Sequence, residues 1–116
     1  MAYINKKEEM KNYIYFMIVS GGLKSGDELF EKKFFTSKFK VNPSYVDDVI
    51  DELKSENIIS EANGKNYIYA DYVIINNLKA RFLNTYINEF LDKINEIRVN
   101  PADAIEALNL RNVANG

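Results

Sequence analysis

The chain has 116 residues, 47% of them hydrophobic and 28% charged, which suits one compact globular domain or a small domain with an added oligomerisation element. It contains neither Cys nor His, so thiolate nucleophiles, imidazole bases and Cys/His zinc sites are excluded, and no spacing suggests a carboxylate or Lys mechanism, a metal site or a cofactor box. There are 15 Lys+Arg against 17 Asp+Glu, a formal charge of -2, and neither a long uncharged apolar run nor a signal-peptide core, so a cytoplasmic protein without a membrane span is expected.

Asn5-Lys6-Lys7-Glu8 has the form of a capping box, with Asn5 as N-cap and Glu8 reaching back. Met10, Tyr13, Ile14, Met17 and Ile18 then recur at helical spacing, and Gly21-Gly22 stop this first helix. Leu23 to Leu29 reads as a turn with one or two extended residues. A second helix is expected from about Glu31 to Phe39, with Phe34, Phe35 and Phe39 inward and Lys32, Lys33, Lys38 and Lys40 in water. After a turn through Val41, a third helix runs from Pro43 to about Glu56. Asn42 is placed to cap it, Pro43 suits its first turn, and Val46, Val49, Ile50 and Leu53 form its apolar stripe. Two short helices joined in this way make a helix-turn-helix.

Asn57 to Ser60 begins a strand, Asn63-Gly64-Lys65-Asn66 is a hairpin turn, and Tyr67 to Ala70 returns. A long helix is expected from about Asn76 to Ile97. Its apolar stripe is wider than one small domain needs to cover and asks for a second surface. Asn100-Pro101 repeats the cap-plus-proline start, and a last helix to about Arg111 would bury Ala104, Ile105 and Leu108, leaving Asn112 to Gly116 frayed. The fold class is mainly α with a small β-hairpin: a winged helix-turn-helix over residues 1–72, then two C-terminal helices over 73–116.

Four segments resemble one family. Val19 to Leu29 is similar to its helix-ending turn, and Val41-Asn42-Pro43-Ser44-Tyr45-Val46 to the start of its recognition helix. Leu53 to Ile59 resembles the end of that helix, and Asn63 to Ile68 its wing. The order and spacing resemble the GntR-type bacterial transcription regulators. The Asn-Pro pair and the short helical tail resemble the YtrA-like branch of that family. The resemblance implies a homodimeric repressor that binds a palindromic double-stranded DNA operator and has no enzymatic activity. It also implies that the two C-terminal helices serve as the dimerisation element. The chain departs from the family pattern at the opening of the second helix, where the serine cap is missing and Lys33 stands at an arginine position. Tyr45 replaces a threonine, Asp47 stands at an often basic position, and Asn66 replaces the second wing glycine.

The candidate DNA-binding residues are Lys32, Lys33, Lys38, Asn42, Ser44, Tyr45, Gly64 and Lys65. The lysines would neutralise phosphates or simply solvate a helix face. Ser44 and Tyr45, on the first turn of the third helix, would reach base edges in a major-groove docking, or pack on the surface. Gly64 and Lys65 form a DNA-contacting wing or a plain turn. The candidate dimer interface is Leu78, Phe82, Tyr86, Phe90, Ile94, Ile105 and Leu108. Asp47, Asp48 and Asp51 face outward on the third helix and admit three uses: helix-dipole stabilisation, acceptance from cytosine N4, or a protein-binding surface. The last defines the alternative function, a winged-helix interaction module that has lost DNA binding. No small-molecule effector is indicated.

Overall fold

The computed structural model describes residues 5–115, with side chains described as far as Arg111 and Asn112. The elements follow the order α1 (Lys6–Val19), α2 (Lys32–Phe39), α3 (Pro43–Ser55), β1 (Ile59–Ala62), β2 (Lys65–Ile68), α4 (Tyr72–Glu96) and α5 (Pro101–Asn115). This is the expected class: helices with one antiparallel hairpin, arranged as a winged helix-turn-helix followed by two further helices.

Asn5 caps α1, its side-chain oxygen accepting from the backbone of Lys7 at 2.9 Å and of Glu8 at 3.4 Å. The helix buries Met10, Ile14, Tyr15 and Ile18. It ends where Gly21 turns left-handed (φ 87°) and the Leu23 amide donates back to the Met17 carbonyl. α2 buries Phe35 and Phe39, but Phe34, expected inward, is 37% exposed. Phe34 lies 100° of helix from Phe35, at the flank of the buried face. Its ring lies instead against Phe30 at 4.6 Å and Phe35 at 5.2 Å, edge-on to the latter.

Lys40, left-handed at φ 55°, reverses the chain between α2 and α3. Asn42 occupies the N-cap of α3 with extended backbone, but its side chain makes no capping hydrogen bond; Pro43 sits in the first turn. Val46, Val49, Ile50 and Leu53 are buried as their spacing requires, and with Phe35, Met10 and Ile14 they form the centre of the core.

The hairpin sits about two residues off the expected strands. Left-handed Asn57 (φ 62°) and the Ile58 amide, bonded to the Leu53 carbonyl, still belong to the end of α3, so pairing starts at Ile59. The register is Ile59↔Ile68, Ser60↔Tyr67, Glu61↔Asn66 and Ala62↔Lys65. The turn is therefore Asn63-Gly64 alone, with Lys65 and Asn66 already in β2. Both turn residues have positive φ (54° and 75°), the type I′ geometry that matches strand twist. The residues before α2 complete the wing: Glu28 pairs with Tyr67, and Leu29 donates to the Asn66 carbonyl at 2.8 Å.

α4 starts at Tyr72, four residues before its expected start. The run Tyr72-Val73-Ile74-Ile75 suits a strand by propensity, but Asp71 caps a helix there, accepting from the Ile74 amide at 2.9 Å. Left-handed Arg98 ends the connection, and Asn100 caps α5 through the Ala102 amide at 2.8 Å. α5 continues to Asn115, so the expected fraying from Asn112 is absent up to that residue.

The chain divides into two compact units between Lys79 and Ala80, within α4. The first contains the winged helix and buries Leu78. The second, the rest of α4 with α5, buries Ile94 and Ala104; Ile105 and Leu108, expected to be buried with Ala104, are exposed.

Candidate nucleic-acid interface

α3 buries one stripe and turns Ser44, Tyr45, Asp47, Asp48 and Asp51 outward. Asn42, Ser44 and Tyr45 are thus accessible at its N-terminal end, the end that reaches base edges in helix-turn-helix docking. Beside α3 lies an open groove lined by the start of α2 (Lys32), the outward face of α3 (Asp47, Asp51, Lys54) and the wing (Glu61, Gly64, Lys65). Glu28 and Glu31 complete its rim. The groove therefore brings together Lys32, Gly64 and Lys65 from the residues expected to meet DNA. Lys33 lines a separate concavity with Phe30, Phe34 and Ser37. Lys38 stands over the Tyr13 ring, 4.9 Å from its centroid, and 5.9 Å from that of Phe39.

The outward acids of α3 are matched by lysines from neighbouring elements. Asp47 pairs with Lys32 of α2 at 2.7 Å, and Asp48 with Lys7 of α1 at 2.9 Å. Lys11, one turn along α1 from Lys7, lies between Glu52 at 3.2 Å and Glu56 at 3.1 Å. Glu56 also accepts the Tyr15 hydroxyl. Lys7 and Lys11 form an i,i+4 pair, as do Asp48 and Glu52 and then Glu56 (i,i+4 again), so two ladders of opposite charge join α1 to α3. In the wing, Lys54 pairs with Glu61 at 3.2 Å and Lys65 with Glu28 at 3.8 Å. Among the described residues, Asp51 makes no ion pair.

This matching supplies a use for the acids that helix-dipole stabilisation does not. Asp47 and Asp48 lie beyond the first turn of α3, where the dipole effect has faded. The open pairs contribute little each, because solvent screens them. Lys11 differs, because its side chain is only 15% exposed. Burial lowers the pKa of its ammonium, while the hydrogen bonds it donates to Glu56 and Glu52 outweigh that and hold it above its ordinary value. The hydrogen bond and charge of Asp48 likewise raise Lys7. Lys7 Nζ also lies 5.2 Å from the Tyr45 ring centroid, so α1 touches the first turn of α3 through one side chain. Sequence reading passed over Lys7 and Lys11. Their i,i+4 spacing opposite acids at the same spacing was the available signal, but it names a partner only once the helices are packed.

The second unit carries the other candidate surface. Tyr86, Phe90, Ile105 and Leu108 are exposed, Phe82 is half-buried with its ring 6.1 Å from that of Tyr86, and Ile94 is buried within the unit. Leu78 is buried in the first unit. Among the described residues no helix is long and apolar enough to cross a membrane.

No protein-family model matches the chain, and no curated protein matches it. Solved structures do. A GntR family transcriptional regulator from Listeria monocytogenes is 22% identical with a TM-score of 0.73, over 94% of this chain and 96% of that one. A transcriptional regulator from Oenococcus oeni is 18% identical with a TM-score of 0.69, over 94% of each chain. YtrA from Sulfolobus acidocaldarius, a GntR-family transcription factor, is 20% identical with a TM-score of 0.55, over 78% of this chain and 90% of that one. With the hairpin wing, the outward α3 and the two following helices, these likenesses identify the fold: the chain has the winged-helix fold of the GntR-family transcriptional regulators.

Proposed function

We propose that the chain is a homodimeric, DNA-binding transcription regulator of the YtrA-like kind, and not an enzyme. It would repress by occupying a palindromic operator, with the α3 helices of the two protomers in successive major grooves. The observation that carries this reading is the exposed start of α3, with Ser44 and Tyr45 outward beside a type I′ wing. Residues 1–72 act as the reading head. Ser44 and Tyr45 meet base edges, Asn42 lies at the helix entry, and Lys32, Lys33, Lys38, Gly64 and Lys65 hold phosphates. Residues 73–116 act as the dimerisation segment. Phe82, Tyr86, Phe90, Ile105 and Leu108 form its apolar face and Ile94 supports it from within, while Leu78, expected at the interface, is buried in the first unit. The exposure of large apolar side chains along this segment supports a covered face in solution.

The test is titration of fluorescent duplexes from the chain's own promoter region at several salt concentrations, beside sedimentation of the free protein. Submicromolar, sequence-dependent binding by a dimer, weakening steeply with salt, is expected. Failure of every duplex to bind even at low salt would sink the regulator reading.

One observation favours a second reading. The groove between α3 and the wing carries Glu28, Glu31, Asp47, Asp51 and Glu61 against Lys32, Lys54 and Lys65. Such a surface suits a basic protein segment better than a phosphate backbone. In that case Asp51→Lys weakens capture of a lysine-rich peptide and leaves DNA binding undetectable.

A further inference from the structure

Three lysines border the groove, and each is already held by a carboxylate: Lys32 by Asp47, Lys54 by Glu61 and Lys65 by Glu28. The first pair differs from the others in its position. Asp47 is on the outward face of α3, the face that enters a major groove if the chain reads DNA. Lys32 comes from α2, which crosses toward the backbone in such a docking. Both side chains are about half-exposed, so the pair can open without disturbing the core.

A phosphate that takes Lys32 leaves the Asp47 carboxylate without its cation. A carboxylate only accepts hydrogen bonds, so it needs a donor in the groove it enters. Guanine presents two acceptors there, and thymine an acceptor and a methyl group. Adenine offers N6 beside the acceptor N7, while cytosine offers its N4 amine alone. We propose that Lys32 and Asp47 form an exchangeable pair that makes Asp47 a specificity-determining residue for cytosine. Lys32 passes to a phosphate, and a cytosine N4 amine replaces it on Asp47. Over guanine or thymine the freed carboxylate meets an acceptor or nothing, and over adenine the N6 donor stands beside the repelling N7 acceptor, so binding is penalised relative to cytosine. The acid on the reading helix thus suppresses non-specific binding while permitting one sequence. The proposal rests on the DNA-binding reading above.

The experiment selects duplexes bound by the wild-type full-length chain from a random pool. It then compares wild type with Asp47→Asn, Lys32→Met, their double variant and Asp51→Asn on selected and unselected DNA across salt. Wild type is expected to require cytosine at one position in each half-site. Asp47→Asn, whose amide both donates and accepts, relaxes that position about tenfold or more. It also binds unselected DNA more tightly, with a logarithmic salt slope steeper by about one, because Lys32 no longer has an internal counter-ion. In the Lys32→Met background the gain falls to the size produced by Asp51→Asn, an acid on the same face with no lysine attached. An equal gain with and without Lys32 overturns the proposal, since the carboxylate then only repels DNA. Survival of the cytosine preference in Asp47→Asn overturns it too, while the regulator reading stands. If wild type and Asp47→Asn both fail to bind any duplex at low salt, the regulator reading falls and the proposal with it.

Discussion

The winged helix and the C-terminal helix pair solve the burial problem differently. In the first unit, α1, α2, α3 and the hairpin enclose side chains such as Leu53, Met10 and Phe35 almost completely, and charge ladders tie the outer surfaces of the helices together. In the second, Ile94 and Ala104 are the buried apolar residues among those described, while Leu83, Phe90 and Leu108 remain open. The first unit has a core of its own. The second leaves most of its large apolar side chains open, and in the dimer proposed above its stability would depend on the partner that covers them. Stability of the winged helix is therefore expected to be insensitive to protein concentration, and that of the helix pair to depend on it.

The largest effect should come from Phe90→Glu. A carboxylate in a closed apolar interface, with no partner, costs about 3–5 kcal/mol. If the proposed dimer forms, sedimentation should show Phe90→Glu as monomers at concentrations where wild type sediments as a dimer. A dimer that survives would place the interface elsewhere and remove the contrast between the units. Leu53→Ala comes next, at about 2–5 kcal/mol, because it opens a cavity in an enclosed core. The companion change Leu83→Ala, at a residue 59% exposed, should leave the melting temperature of dilute protein almost unchanged and lower it only where the dimer forms.

Lys11→Met sharpens the comparison at smaller scale. Loss of the ammonium leaves Glu52 and Glu56 facing each other without their cation and should cost about 1–2 kcal/mol in the winged helix. The folded pKa of Lys11 lies above its ordinary 10.5, so the folded state holds this proton more tightly than the unfolded chain. The contribution is therefore complete below about pH 10 and is lost as pH rises through the folded value. The difference in melting temperature between wild type and Lys11→Met should be flat from about pH 7 to pH 10 and shrink only above that. Smallest are the caps. Asn5→Ala and Asn100→Ala each remove a side-chain bond to the helix backbone and should cost about 1 kcal/mol. Asn42→Ala removes none and should cost less than about 0.5 kcal/mol in unfolding titrations.

The helical stripes of α1 and α3 were legible because a single periodicity specifies each. The presence of a hairpin was legible from Asn63-Gly64, but its register was not. The end of α3 holds Asn57 and Ile58 by a backbone bond to Leu53, which no local pattern announces. The start of α4 was hidden by a β-branched run whose preference the Asp71 cap and tertiary packing override. For the site, residue types indicated which side chains could meet a polyanion but not which were already engaged. Lys33 and Lys38 read like Lys32, yet only Lys32 lies in the groove beside α3. The acids of α3 looked anomalous because their partners are distant in the chain, Lys32 lying 15 positions from Asp47 and Lys7 41 positions from Asp48.

The paired ladders of α1 and α3 also constrain how the chain can vary over time. An acid at 48 or 52 that becomes basic meets Lys7 or Lys11 opposite, so that an attraction between two packed helices turns into a repulsion. A lineage that recharges positions 48, 52 or 56 gains by exchanging residues on α1 as well, whereas position 47 answers to Lys32 of α2. Related chains should therefore show positions 7 and 11 changing in step with 48, 52 and 56, so that a change of charge on one helix leaves its trace on the helix packed against it.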